Sequence, residues 1–218
     1  MKKPEITIDK VKPLFESKFI KVFDLQYEEG KHYFDATRRD KENLSAIKSD
    51  KAFKEMLPDA VTCFVILKVK NEEPRLLTFY EYRYPTGQFL LSLPAGLMDP
   101  EDKNSECPQL TTARREIFEE TGIKIKDTDK FYLVDPLVFS TPGMTDESNG
   151  IVCAVVELDD LSSLNQNGAE GSECFDGFKL LTKDQAREIL KRGRDENGNF
   201  YSIFTWAGLC FFTADLWN

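Results

Sequence analysis

The chain has 218 residues, a length suited to one large domain or to a domain with a small extension. Hydrophobic residues at 41% and charged residues at 31% describe a folded chain that buries its own core without staples. Asp and Glu outnumber Lys and Arg by 38 to 29, and the formal charge of −9 excludes a nucleic-acid-coating role, which needs a broad basic footprint. A small phosphorylated ligand at a local cation or metal cluster stays open. The one histidine, His32, removes histidine-rich zinc sites and reads as a strand residue with no catalytic part. Five scattered cysteines without a CxxC point to a reducing compartment. No apolar segment follows the first charged residues, and the longest apolar run, Cys63 to Leu67, is far short of a membrane span. The expectation is a cytoplasmic protein with no nucleic-acid or membrane partner.

Taken in order, Lys18 to Tyr27 and His32 to Arg39 alternate apolar and polar residues around Glu28-Glu29-Gly30, a two-strand meander. A charged segment, Asp40 to Lys54, has room for a short helix before Pro58. Ala60 to Val69 and Arg75 to Tyr82 read as a hairpin of strands joined at Asn71-Glu72-Glu73-Pro74. Phe89 to Leu93 is a short strand stopped by Pro94 and Gly96. Pro108 to Thr121 is helical in pattern, with Pro in the first turn and Gly122 at the stop. Strands follow at Phe131 to Val138, Gly150 to Leu158 and Cys174 to Leu181. Thr182-Lys183-Asp184-Gln185 has the spacing of a capping box for a helix ending at Gly193, and an aromatic-rich helix runs from Tyr201 to Leu216. Strands outnumber helices, which interrupt them irregularly. The class is mixed, α/β or α+β.

The informative stretch is Arg115-Glu116-Ile117-Phe118-Glu119-Glu120-Thr121-Gly122-Ile123. On a helix Glu116, Glu119 and Glu120 lie close along one side, neighbours about 5–6 Å apart at Cβ. Carboxylates so placed repel unless a cation joins them, and several carboxylate oxygens are what Mg²⁺ or Mn²⁺ prefers. Arg115, four residues before Glu119, can orient that carboxylate without neutralising the group. A solvated acidic helix face is the ordinary alternative. Five residue types at fixed spacing, however, recur by chance in on the order of one chain in ten thousand.

The stretch resembles the Nudix box, G-x5-E-x7-R-E-U-x-E-E-x-G-U with U aliphatic, and it matches the second half completely. In the first half Gly96 lies five residues too far upstream, so the loop carries an insertion around Asp99 to Asn104. The place of the first glutamate holds Cys107, which reads as a packed thiol. Glu81-Tyr82-Arg83-Tyr84-Pro85-Thr86-Gly87, Leu93-Pro94-Ala95-Gly96-Leu97 and Ser140-Thr141-Pro142-Gly143-Met144-Thr145-Asp146-Glu147 resemble runs flanking the box in ADP-ribose and ADP-sugar pyrophosphatases. Tyr33 to Arg39 resembles the strand that ends their N-terminal extension.

The resemblance implies a Nudix-fold α/β/α sandwich with a mixed central sheet over 59–218, preceded by a small β extension over 1–58 that serves a homodimer. It implies Mg²⁺-dependent hydrolysis, with Mn²⁺ as a substitute, of ADP-ribose or a related nucleotide sugar to AMP and a sugar phosphate. Another Nudix substrate and a non-catalytic nucleotide-binding regulator are the alternatives. Glu116, Glu119, Glu120 and the Ala95 carbonyl are the implied metal ligands, with Glu120 and Arg115 part of the catalytic set. With no histidine in these segments the base must be a carboxylate. In ADP-sugar pyrophosphatases it comes from a loop after the box, here Glu173 or alternatively Glu170; an ordinary exposed loop acid is the other reading. Arg83, Glu81, Arg38 and Arg39 are the implied substrate contacts, against the plain reading of surface ion pairs and a charged strand end.

Overall fold

A computed structural model describes residues 3–168 and 171–218, and the chain divides into two compact units. One holds the chain up to Asp59 together with Leu137–Asn149; the other holds Ala60–Pro136 and Gly150–Asn218. The sequence divides once, near residue 58, because nothing local marks Leu137–Asn149 as belonging with the early strands. Backbone and side-chain hydrogen bonds group it there: Ala36 N–H donates to the Met144 carbonyl, and the Tyr33 hydroxyl to the Gly143 carbonyl.

The N-terminal unit is a three-stranded antiparallel sheet of β1 (Val11–Glu16), β2 (Lys21–Glu28) and β3 (Lys31–Thr37) in that order. β2 and β3 turn at Gly30, whose φ of 70° favours a residue without Cβ. β1 is a third strand beyond the expected meander. Only Val11 of its six residues is buried and its register shifts between Pro13 and Phe15, so no alternation announces it. Val11, Phe23, Leu25 and Leu44 form the core, with Ile6 and Ile47 against it. A short helix, α1 (Asp50–Lys54), starts at Ser49, whose side chain accepts from Ala52 N–H.

Below that core lies a polar network. Asp146 accepts from the Thr37 hydroxyl at 2.6 Å and from Ser45 N–H at 2.9 Å. Arg39 donates to Asp59 at 2.6 Å and its Nε lies 3.4 Å from Asp146. Asp35 accepts the Asp146 N–H at 3.1 Å and also lines an apolar cleft with Phe34, Phe53, Phe139 and Met144.

The larger unit is built on a seven-stranded sheet of order β10-β5-β4-β9-β8, with β6 beside β5 and β7 beside β4. The strands are β4 (Ala60–Val69), β5 (Arg75–Arg83), β6 (Gln88–Ser92), β7 (Ala95–Leu97), β8 (Lys130–Phe139), β9 (Ser148–Leu158) and β10 (Phe175–Leu181), with the last three residues of β8 and the first two of β9 counted in the N-terminal unit. The helices of the larger unit are α2 (Pro108–Thr121), α3 (Lys183–Arg192) and α4 (Ile203–Thr213). α2 ends in a left-handed Gly122 at φ 74°, and α3 starts in the capping box of Thr182 and Gln185. α4 is shorter than its aromatic composition suggests, because Ser202 caps its start and the chain turns off after Thr213.

β4 is buried along nearly its whole length and carries helices on both faces. Cys63 and Phe64 are neighbours, so their side chains leave opposite faces. Cys63 faces α2: burial and then the charges of Glu120 and Glu116 push its thiol up. Phe64 faces α4, its ring 5.3 Å from that of Phe211, and the bare Gly208 lets this helix come close. The result is a mixed α+β sandwich with the sheet between α2 and α4. Among the described residues no helix is long and apolar enough to cross a membrane.

Asp35 supplies a pH test of the N-terminal unit. Burial first, and then the charge of Asp146, raise its carboxyl from 3.8 to about 6. The folded chain therefore keeps a proton that the unfolded chain has lost, and the stabilisation present below about pH 4 is lost as pH rises through about 6. Thermal unfolding followed from pH 4 to pH 7 is expected to show this loss, of order 2 kcal/mol, and Asp35→Asn is expected to flatten it.

Candidate active site

Helix α2 lays its apolar side, Ala113 and Ile117, on the sheet, and this turns Glu116 and Glu120 inward as well. Glu116 is 6% exposed and Glu120 3%, rare burial for acids. Glu119 stays on the more open side with about a third of its side chain exposed. The Glu120 carboxylate accepts Ala95 N–H at 3.0 Å. Ala95 was expected to offer its carbonyl; the contact present is made by its amide.

β7 decides how close the strand can come to the helix. Ala95, Gly96 and Leu97 pair with Thr62, Val61 and Ala60 of β4, which presents Gly96 to Glu116. A Cβ at position 96 would fall inside the Glu116 carboxyl. Gly168 has the same relation to the Glu119 backbone, and Asn165 N–H donates to the Thr121 carbonyl at 3.0 Å, which docks the loop of the 160s against the end of α2.

Arg115 is the local cation. Its Nη1 donates to Glu116 at 2.8 Å and to Glu119 at 3.0 Å. Its Nη2 donates to the Leu97 carbonyl at 3.0 Å and to Asp102 at 3.1 Å, and lies 3.4 Å from Asp99. Burial disfavours its charge, but Glu116, Asp102 and the other acids more than offset this and hold its proton. Asp102 stands in the insertion and is buried. Burial raises its carboxyl, but hydrogen bonds from Arg115 and Thr112 outweigh that and leave it below the usual range. Sequence reasoning passed over Asp102; the signal was an acid in the insertion while Cys107 left the pattern short of one.

Three of the acids hold their protons more tightly than free carboxyls do. Burial pushes Glu116 up to about 7 against the pull of Arg115, with Glu119 and Glu173 adding to the rise. Burial pushes Glu120 well above its ordinary range, the Ala95 amide opposes this, and Glu116, Glu81 and Glu173 reinforce it. Glu81, on β5, is raised by burial against the opposing charge of Arg83, which lies 2.7 Å away, with Glu173 again raising it. Tyr82 N–H donates to the Cys174 carbonyl at 2.9 Å, which ties the residue after Glu173 to the strand that carries Glu81. Glu81, Glu116, Glu120 and Glu173 thus share one electrostatic neighbourhood. Arg83 is half exposed beside it. Glu170 lies outside the described residues.

Arg38 and Arg39 belong to the N-terminal unit and differ from each other. Arg38 is half exposed, with Nε 3.8 Å from Glu147. Arg39 is only 12% exposed and bound by Asp59 and Asp146, a cation consumed inside its own unit. His32 donates or accepts at Asp24 on the early sheet. Cys107 stands at the start of α2 without capping it.

Among the described residues the acids are not gathered into a three-ligand cage, since Arg115 holds Glu116 and Glu119 and the Ala95 amide holds Glu120. The donor chemistry nevertheless fits a hard divalent cation. The donors are oxygens only, they repel one another, and burial raises the cost of leaving their charges unmatched. Glu116, Glu119 and Glu120 are the residues that would hold such a cation.

A family model described as the NUDIX domain matches residues 56–203. Putative nudix hydrolase 2 of Caenorhabditis elegans is 33% identical over 106 residues, 49% of this chain and 43% of that protein. Nudix hydrolase 14, chloroplastic, of Arabidopsis thaliana is 37% identical over 99 residues, 42% of this chain and 30% of that protein. The chain spans less than half the length of these two relatives. A crystal structure of an ADP compounds hydrolase shares the fold at a TM-score of 0.60, with 19% identity, over 100% of this chain and 95% of that one.

The bare Cα at position 96 yields a direct test. Gly96→Ala is expected to drive Glu116 from its place, at about 1–3 kcal/mol for the overpacking. Thermal melts and Mn²⁺ titration should show both a lower midpoint and weaker cation uptake.

Proposed function

This chain belongs to the Nudix family, and on that premise we propose that it hydrolyses the pyrophosphate bond of ADP-ribose or a related nucleoside diphosphate sugar. The products are AMP and a sugar phosphate, and Mg²⁺ is the cation, with Mn²⁺ as a substitute. One observation carries the reading: Glu116 and Glu120 of α2 and Glu81 of β5 are buried, and burial together with the charges of neighbouring acids, Glu173 among them, raises their proton affinity. A surface acid patch does not bury its members, whereas Glu81, Glu116 and Glu120 are all buried, a folding cost that a bound cation would offset. The flanking likeness to ADP-sugar pyrophosphatases favours the substrate class, and the name of the structural neighbour is in keeping with it.

In this reading Glu116, Glu119 and Glu120 hold the cation, with the Ala95 carbonyl as a further oxygen. Nudix hydrolases use divalent cations, and a cation here screens the pyrophosphate oxygens so that water can approach phosphorus. Arg115 holds Glu116 and Glu119 in place through Nη1. The proton of the attacking water goes to a carboxylate that is not a cation ligand, and Glu173 is assigned that part because it lies within electrostatic reach of the cluster at an anchored strand end. Arg83, oriented by Glu81, binds the substrate phosphates or terminal ribose. Arg39 keeps its internal partners and is assigned to holding the N-terminal unit together.

A panel of nucleotide sugars, dinucleoside polyphosphates and non-canonical nucleoside triphosphates, each with Mg²⁺, tests the proposal. ADP-ribose or an ADP-sugar is expected to be cleaved fastest, releasing AMP; no AMP from any of them overturns the reading. Glu120→Gln is expected to lower kcat at least about a hundredfold, and parent turnover in that variant at saturating Mg²⁺ would remove the cation assignment. Glu173→Gln is expected to cut kcat by about 10²–10⁴ with little change in binding, and Glu170→Gln far less.

The homodimer is a second proposal, supported by the N-terminal unit, where Phe15, Phe19, Ile20 and Phe34 are all exposed. Exposed large apolar side chains at this density mark an interaction face. Light scattering at micromolar concentration is expected to return twice the mass of the chain; the mass of a single chain would refute it.

A further inference from the structure

Position 107, which the box pattern fills with glutamate, holds Cys107, about two helical turns before Arg115 and lining the same cleft, yet Arg115 is not short of a carboxylate outside the cluster. The inserted loop supplies one. Asp102 sits in a 3₁₀ turn, Asp102–Asn104, is 8% exposed, and is held from three sides. Its Oδ2 accepts from the Thr112 hydroxyl at 2.9 Å, from Arg115 Nη2 at 3.1 Å and from Asp99 N–H at 3.3 Å. Thr112 is itself fully buried on α2, so the carboxylate is fixed to the helix that carries the cluster.

We propose that Asp102 is the positioning residue of Arg115, taking over from the inserted loop the carboxylate that position 107 lacks. This rests on the assignment of Glu116 and Glu119 to the cation. The guanidinium is a rigid fork, and here its two ends do different work. Nη1 is shared between Glu116 and Glu119, while Nη2 is held by Asp102 and the Leu97 carbonyl. Nε is buried without a partner, so nothing at that atom fixes the plane. Asp102 therefore sets both the angle of the fork and the share of its charge felt by the cluster. Without that carboxylate Nη2 keeps only the Leu97 carbonyl and the more distant, more exposed Asp99, so more of the charge falls on Glu116 and Glu119 and Arg115 competes harder with the cation for them. A residue that orients a ligand without touching the metal typically alters affinity by about 10–100-fold.

The test uses the full chain and four substitutions. Asp102→Asn is expected to weaken Mn²⁺ binding about tenfold, read without substrate from the electron paramagnetic resonance signal of free Mn²⁺. Adding Cys107→Glu in the same chain, which returns a carboxylate to the pattern position, is expected to restore most of that loss. A purely structural role for Asp102 would not be rescued from position 107. In chelator, Asp102→Asn and Arg115→Gln are each expected to lower the unfolding midpoint, and the double variant by clearly less than their sum. Asp102→Glu, which keeps the charge, covers the case in which the Asn variant does not fold and is expected to stay near the parent in Mn²⁺ binding. Strictly additive midpoints, parent-like Mn²⁺ binding in Asp102→Asn, or no rescue by Cys107→Glu overturns the proposal. If the parent chain leaves the Mn²⁺ signal unchanged, the cation assignment fails, and the chelator cycle decides the pairing of Asp102 with Arg115 by itself.

Discussion

Carboxylates repel, and the repulsion strengthens when water is taken away. Glu116 and Glu120 are carried inward by the same helical spacing that buries Ala113 and Ile117, so the helix cannot pack on the sheet without also burying two charges. The residues around α2 answer that constraint one by one. Arg115 spans two of the acids, the Ala95 amide is turned toward a third, and position 96 carries no side chain, because any would occupy the space of the Glu116 carboxyl. These arrangements ease the repulsion without removing it, since the acids still hold their protons more tightly than they would in water. A fold that keeps acids in that condition has stability in reserve for a ligand of opposite charge.

The sheet makes that arrangement dependable. β4 is buried on both faces, and its neighbouring Cys63 and Phe64 point to α2 and α4 respectively. Because β7 is only three residues long, its position is set by pairing with Ala60, Val61 and Thr62. A slip of one residue would turn Gly96 away and present a side chain to Glu116. The burial of β4 therefore fixes the register of a strand too short to fix itself, and through it the place of the bare Gly96 against Glu116.

The elements that could be read from the sequence are those with local causes. The helix Pro108–Thr121 has its Pro, its spacing and its Gly122; the Thr182–Gln185 capping box and the β-branched run of β4 are likewise self-announcing. β1 and β7 were not legible, the first because five of its six residues are exposed, the second because it exists only through its partner strand. Arg39 looked like Arg38, since nothing nearby shows that Asp59 and Asp146 will close on one and leave the other half exposed. Asp102 looked like any acid in a charged loop. Its partner lies thirteen residues on, and only the folding of the insertion back onto α2 brings them together. The Glu triad was legible for the opposite reason, all its members lying within one turn of one helix.

The position of Glu173 follows from its two flanks rather than from freedom of the loop. On the helix side, Gly168 rests against the Glu119 backbone and Asn165 is bonded to Thr121. On the strand side, the Cys174 carbonyl is bonded to Tyr82, and the register of β10 on β5 then shifts between Phe175 and Phe178, with Gly177 at a φ of 77°. A bulge at the end of a strand re-aims the residues beside it. Glu173 lies immediately before that irregularity, where the chain has been tied to the strand of Glu81 but has not yet entered the regular ladder. The proposed base needs such a place: near enough for its charge to be felt by Glu116 and Glu120, yet carried by a different element, so that it does not share their fixed spacing.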